Sequence, residues 1–224
     1  MNTNNKNRVK VWDPVVRIGH WLLVAAFFIA YFTEDEFILA HVWAGYVVAA
    51  VVAVRLLWGF IGSRHARFVN FVRPPKQIAA YLKTMLAGKP QHYLGHNPAG
   101  GAMVIALLIS LSATVLSGMQ LYAVADNKGP LALASSTQNH PALAAVPFIA
   151  DAQASNTEED NDSQHNTNKK EDSAWEALHE VFANFTIVLV AIHIIGVILS
   201  SIIDKEKLLK AMLTGTKNSD NTYL

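Results

Sequence analysis

Residues 175–203, WEALHEVFANFTIVLVAIHIIGVILSSII, give the clearest indication of the fold class. A helix that spans a bilayer needs about 17–25 mostly apolar residues, and this stretch meets that requirement. Three more stretches meet or nearly meet it, at about 14–32, 37–61 and 98–123. None shows the alternating pattern of a membrane barrel. We therefore predict an all-α fold: an integral membrane four-helix bundle with antiparallel neighbours, in one domain over residues 1–224.

The composition agrees with a membrane protein. Hydrophobic residues make up 52% of the 224 residues and charged residues 16%, with a net charge of +1, against a usual charged share of about 25%. These values argue against a disordered chain and against a nucleic-acid-binding protein with a dominant basic surface. The chain has no Cys, which excludes disulfides, Cys-ligated zinc or iron–sulfur sites and c-type haem attachment.

The basic residues lie mostly on one side of the predicted spans. Fifteen of the 18 Lys and Arg residues lie in three regions. These are the N-terminal segment with the first turns of the first span, the segment from the end of the second span to the third, and the segment after the fourth span. The remaining three are Lys128, Lys169 and Lys170. Because cytoplasmic loops are enriched in Lys and Arg, we predict that both termini are cytoplasmic and that the protein crosses the bacterial inner membrane four times.

The N-terminal stretch also resembles a signal peptide, since basic residues precede an apolar run. Tyr31-Phe32-Thr33-Glu34 offers no small-x-small cleavage site, so we count this stretch as the first span. The pair Asp13-Pro14 is typical of a helix start, with a capping Asp before a Pro at the first helical position.

Two connecting segments have distinct compositions. Apolar residues at helical spacing between Pro74 and Gly88 predict a short amphipathic helix that lies on the cytoplasmic lipid surface. Residues 124–174 form a long periplasmic insertion, and the part from Asp151 to Asp172 contains no large apolar residue. We expect that part to be disordered.

Four histidines lie in or near the spans, where a polar side chain is costly and usually faces the interior of the bundle. His179 and His193 are 14 residues apart, so they share one helix face and differ by about 21 Å along the axis. His20 lies near the cytoplasmic end of the first helix, and His41 near the periplasmic start of the second. The antiparallel order therefore pairs His20 with His193 at an inner level and His41 with His179 at an outer level.

Two facing imidazoles in a helix bundle suit a haem with two axial His ligands. Zinc would need four ligands, and no carboxylate lies near His20 or His193 on the apolar helices. Glu176 and Glu180, close to His179, leave zinc open at the outer level. A proton relay would need a carboxylate in mid-span, and the sequence has none there.

Small and basic neighbours fit the same interpretation. Gly19, Gly45 and Gly196 lie close to the predicted ligands and would give a macrocycle clearance. Arg55 shares a face with His41 at the inner level, and both Arg55 and Arg17 are candidates to bind the propionates of the inner haem. Either arginine could instead be an ordinary flanking residue of the cytoplasmic side.

The third span has no His in its core. Met103 and Met119 are more typical of packing than of iron ligation, although Met can bind haem iron. We therefore predict that the third helix is a packing wall.

The chain resembles the prokaryotic cytochrome b561 and nickel–iron hydrogenase b-type cytochrome family. The matching stretches are WDPVVRIGHW (12–21), RLLWGF (55–60), YLGHNPAGG (93–101) and LHE (178–180), together with His41, Gly45 and His193. The resemblance covers nearly the whole chain except the tails and residues 124–174. It implies an electron carrier with two b-type haems, held by the matching His of the first, second and fourth helices.

The resemblance also implies partners. Such proteins connect the quinone pool with a periplasmic hydrogenase, a reductase subunit or a c-type cytochrome. The long polar insertion departs from the family pattern and leaves the docking partner open.

The sequence therefore predicts a di-haem b-type cytochrome that carries electrons across the membrane, as an electron-transfer subunit rather than a stand-alone enzyme. Two alternatives stay open: a four-helix transporter or metal exporter with His ligands, and a cofactor-free membrane anchor.

Overall fold

The computed structural model describes residues 8–10, 13–34, 36–64, 66–87, 97–126, 128–132, 160–203 and 208–218. Most of them are helical. The helices are α1 Pro14–Phe32, α2 Ile38–Ile61, α3 Phe68–Phe71, α4 Pro75–Leu86, α5 Pro98–Asp126, α6 Asp160–Ile203 and α7 Leu208–Thr214. Two short strands, β1 Arg8–Lys10 and β2 Thr216–Asn218, complete these elements.

Four helices are long and apolar enough to cross a membrane: Pro14–Phe32, Ile38–Ile61, Pro98–Asp126 and Ala174–Ile203. Each bound lies within one turn of the predicted one. The all-α class and the four apolar helices are therefore confirmed.

The N-terminus of α1 begins where the pair Asp13-Pro14 predicts it. The Asp13 carboxylate accepts a hydrogen bond of 2.8 Å from the backbone N–H of Val15, which satisfies one of the unpaired donors of the first turn. Partial burial raises the pKa of the Asp13 carboxyl, but hydrogen bonds from the Ser63 side chain and from the backbone N–H groups of Val15 and Val16 outweigh it. The net result is a lowered pKa.

The two ends of the described chain pair with each other in the first unit. β1 pairs with β2 in antiparallel register, with Arg8 opposite Asn218 and Lys10 opposite Thr216.

The chain divides into two compact units. The first consists of Met1–Ser112 with Phe185–Leu224, and the second of Ala113–Asn184. In the first unit α1 packs against α2. There a buried hydrogen bond of 2.6 Å between the hydroxyls of Ser110 and Thr186 joins α5 to α6.

The predicted amphipathic helix is present as α4, with Tyr81 buried and Leu82 and Lys83 exposed. The structure differs from the expected disorder after Asp151, because α6 begins at Asp160 and runs without a break into the apolar span. Once a helix exists, each added residue contributes a hydrogen bond without a new nucleation cost, so a polar segment can extend it. Residues 133–159 lie outside the described part of the chain.

Candidate functional site

His20 and His193 come together in the first unit. His20 lies in the second turn of α1 and His193 in α6, and both rings are half-buried. The two are close enough to interact electrostatically. The Nδ1 atom of His20 is buried without a hydrogen-bond partner among the described residues. A buried polar nitrogen of this kind is costly unless something else occupies the site.

His41, also in the first unit, lies in the first turn of α2. Its Nδ1 is 2.8 Å from the backbone carbonyl oxygen of Ala30 on α1. A carbonyl can only accept, so the imidazole must carry its proton on Nδ1 and donate it. This tautomer leaves the lone pair on Nε2, the atom that would bind a metal.

His179 lies in the second unit, on α6. Its Nδ1 is 2.9 Å from the backbone carbonyl oxygen of Thr114 and 3.2 Å from the hydroxyl oxygen of Ser117. The carbonyl again requires a proton on Nδ1. His41 and His179 therefore share the tautomer that metal-binding histidines adopt when their second nitrogen is held by a backbone acceptor.

Two of the three glycines singled out from the sequence border open space. A Cβ built on Gly45 or on Gly196 would meet nothing within 4 Å. Gly45 follows His41 by one turn of α2, and Gly196 follows His193 by three residues on α6. Gly19 is different, because a Cβ there would meet Val51 on α2 at 3.6 Å, so it packs helix against helix.

The donor set suits haem iron better than zinc. Among the described residues, no group of three or more His, Cys, Asp or Glu side chains could hold a metal ion. A haem needs imidazole ligands and space for the macrocycle; His41 and His179 hold the proton on Nδ1, and open space borders Gly45 and Gly196. His20, His193, His41 and His179 are thus the residues that could hold it.

Arg55 contacts the turn that follows α2. Its Nη1 donates to the carbonyl oxygen of Ala66 at 3.1 Å. Its guanidinium carbon lies 5.2 Å from the ring centre of Phe68 and 5.9 Å from that of Phe71, within range of a cation–π attraction. The Asp13 carboxylate also attracts it. Arg55 thus has a structural role beside any contact with a propionate.

Arg17 contacts the C-terminal end of α7. Its Nε donates to the carbonyl oxygen of Met212 at 3.1 Å, and its Nη2 donates to that of Leu213. Cationic side chains are favoured at this end of a helix, where carbonyls lack helical donors. The contact ties α1 to the C-terminal segment.

The sequence interpretation missed the role of the third apolar helix. It predicts α5 to be a packing wall, yet Thr114 and Ser117 provide both acceptors at the His179 Nδ1. A Cβ at Gly118 would lie 2.8 Å from Cε1 of the same ring. Thr, Ser and Gly at positions i, i+3 and i+4 share one face of an apolar helix. That spacing is the signal that could have revealed the contact.

The same helix face borders a cavity of about 300 Å³ in the second unit. The cavity is lined by Ala113, Leu116, Ser117, Gln120, Leu131, Trp175, Leu178 and Phe182. Ser117 therefore belongs both to the cavity wall and to the surroundings of His179.

Comparison with known proteins gives one family. The sequence profile of the prokaryotic cytochrome b561 family matches residues 11–215. The "Probable Ni/Fe-hydrogenase B-type cytochrome subunit" of Rhodobacter capsulatus is 28% identical over 55% of this chain and 58% of its own length. The "Probable Ni/Fe-hydrogenase 1 B-type cytochrome subunit" of Escherichia coli K12 is 27% identical over 50% and 59%. The matches thus cover less than two thirds of these relatives, and no solved structure matches the chain.

Proposed function

The chain belongs to the prokaryotic cytochrome b561 family, and on this premise we propose that it is a di-haem cytochrome that carries electrons between the quinone pool and a periplasmic redox partner. Family membership makes it a multi-pass membrane b-type cytochrome of electron transfer. The number of haems, the partners and the ligands are the proposal.

The observation that carries the proposal is the tautomer of two histidines. Nδ1 of His41 and Nδ1 of His179 each face a backbone carbonyl, at 2.8 and 2.9 Å. A backbone acceptor fixes the proton on Nδ1 and orients the ring, which is the usual preparation of a metal-binding imidazole.

The proposed ligands are His20 and His193 for one haem and His41 and His179 for the other, as the sequence spacing pairs them. When bound, haem b supplies an iron centre that takes up and releases one electron at a time. The protein holds His41 and His179 in one tautomer and leaves room at Gly45 and Gly196.

The two arginines are proposed to assist through their charge. Arg55 and Arg17 would attract the propionates of the inner haem while they keep their contacts with the Ala66 carbonyl and with the end of α7. A positive charge near the iron favours the reduced state, so it raises the midpoint potential relative to the same site without it.

The partner assignment rests on the relatives. Their names describe a subunit of a nickel–iron hydrogenase, which makes a hydrogenase our first candidate at the periplasmic side. A reductase subunit or a c-type cytochrome is the alternative, with quinone or quinol as the redox substrate in the membrane. We also propose that residues 124–174 lie in the periplasm and that the protein resides in the bacterial inner membrane.

Haem content tests the proposal directly. Protein purified from haem-replete cells should be red, should hold two haems per chain, and should give a b-type difference spectrum with dithionite. His193→Ala should remove one haem and leave the signal of the other unchanged. A colourless preparation would favour the transporter or the anchor, and a His193→Ala variant with both haems would reject the inner ligand pair.

A further inference from the structure

The His179 imidazole is seated on one face of α5. The Thr114 carbonyl oxygen is 2.9 Å from Nδ1, and the Ser117 hydroxyl oxygen is 3.2 Å from the same atom. A Cβ at Gly118 would lie 2.8 Å from Cε1 and 3.0 Å from Nδ1. We propose that Ser117 and Gly118 are positioning residues, which fix the orientation and the basicity of His179. The proposal rests on the proposed role of His179 as a haem ligand.

Gly118 contributes because it has no side chain, which leaves space for the His179 ring. Cα–Cβ bonds in a helix tilt toward the N-terminus, so a side chain at position 118 would lie beside the carbonyl of Thr114, one turn earlier. With glycine there, the imidazole ring occupies that space and its Nδ1 reaches the carbonyl. A methyl group at 118 would push the ring away, because a Cβ contact of 2.8 Å is shorter than real ones.

Ser117 acts through its hydroxyl. The hydroxyl donates to the Thr114 carbonyl at 3.0 Å, so its oxygen keeps a lone pair for the proton on the His179 Nδ1. Two acceptors then share one N–H donor. Acceptors at Nδ1 push electron density onto the ring and make Nε2 a stronger ligand. A stronger ligand favours the oxidised metal, so the hydroxyl lowers the potential of iron bound there.

Ser117→Ala tests the hydroxyl without adding any atom to the site. The expected result is full haem content and a raised midpoint potential for the haem at His179 only, with a shift of its low-spin ferric EPR signal. An unchanged potential and an unchanged EPR signal would overturn the role of Ser117.

Ser110→Ala is the matched control. Ser110 lies two turns earlier on α5 and is as deeply buried, at 3% exposed against 2% for Ser117. Its hydroxyl pairs with that of Thr186. Both haem potentials should stay unchanged in this variant. A shift equal to that of Ser117→Ala would show a general effect of buried hydroxyl loss and would also overturn the proposal.

Gly118→Ala tests whether the His179 ring needs the space beside residue 118. We expect loss of most of the haem at His179, with the other haem retained at its original content and potential. Full content with an unaltered EPR signal at both haems would overturn the role of Gly118. If the variant does not fold, Ser117→Ala alone decides between the outcomes above.

His179→Ala separates this proposal from the function on which it rests. If that variant keeps both haems, His179 is not a ligand and the proposed function loses its outer site. If it loses one haem while Ser117→Ala and Gly118→Ala behave as the parent protein, only the positioning role fails.

Discussion

Substitution of Gly45 should change helix stability and haem binding in opposite directions. Gly45 lies in the middle of α2, and a Cβ there would meet nothing within 4 Å. Alanine is better than glycine in a helix interior by about 1 kcal/mol. Without the cofactor, Gly45→Ala should therefore make the protein more stable by up to that amount, since no clash opposes the gain.

The same space is the room that a macrocycle beside His41 would need. Gly45→Leu fills it with a branched side chain, and overpacking of this kind costs about 1–3 kcal/mol. At about 1.4 kcal/mol per factor of ten, haem affinity should fall by roughly 5- to 150-fold. The effect should be confined to the haem at His41, so that about half of the haem stays bound when the free concentration is limiting.

The assay combines two measurements on the purified variants. Haem content and the dithionite spectrum report binding, and an SDS titration of protein from haem-depleted cells reports the stability of the cofactor-free state. Gly19→Ala is the control, because it gains the same helix propensity while its Cβ meets only Val51 at an ordinary 3.6 Å. If Gly45→Leu keeps both haems at normal content with an unchanged spectrum, the open space beside α2 does not belong to a cofactor, and the reasoning is wrong.

Three further predictions concern the supports of the site. Asp13→Ala should lower the free energy of unfolding by about 0.5–2 kcal/mol, because the α1 cap is lost. The pKa of Asp13 is lowered in the folded protein, so its stabilising contribution is present above the ordinary pKa and is lost as the pH falls through the folded pKa. Unfolding of the parent and the variant as a function of pH will show this difference. Arg55→Leu should lower the inner midpoint potential, whereas Arg55→Lys keeps the charge and should retain it; equal potentials in all three proteins would reject the electrostatic role. A double-mutant cycle of Ser110→Ala and Thr186→Val, measured by SDS unfolding, should give a coupling energy of about 0.6 kcal/mol and at most about 1.7, the range of hydrogen bonds between membrane helices. Additive effects of the two substitutions would mean that the 2.6 Å contact does not couple α5 to α6.

The spans and the start of α1 could be predicted because they depend on strong, local signals. An apolar run of sufficient length has few other uses, and the pair Asp13-Pro14 fixes the start of α1 through its own side chain and ring. His179 and His193 share a face for any straight α-helix. None of these statements requires knowledge of which helices are neighbours.

The contacts of the arginines could not be predicted in the same way, and on α5 only the shared face of Thr114, Ser117 and Gly118 could. Arg55 reaches Ala66 and Phe68 because the turn after α2 folds back toward it, and a sequence does not show that path. Arg17 meets the end of α7 across 195 positions of sequence. On α5 the apolar residues surround the whole helix, so hydrophobic periodicity cannot tell which face carries Thr114 and Ser117 toward a partner.

The acceptors of His41 and His179 are available for different reasons, and this difference predicts how each site tolerates change. Ala30 lies in the last turn of α1, where carbonyls lack helical N–H donors, and it accepts from the Thr33 N–H at 3.3 Å and from the His41 Nδ1. Thr114 lies in mid-helix, and its carbonyl is accessible because residue 118 has no side chain. Substitutions of α1 side chains around Ala30 should therefore leave the His41 bond intact, since a backbone atom at a helix end remains available. The His179 bond depends on a single missing methyl group, so the outer site should be the one that mutation of the third span disrupts first.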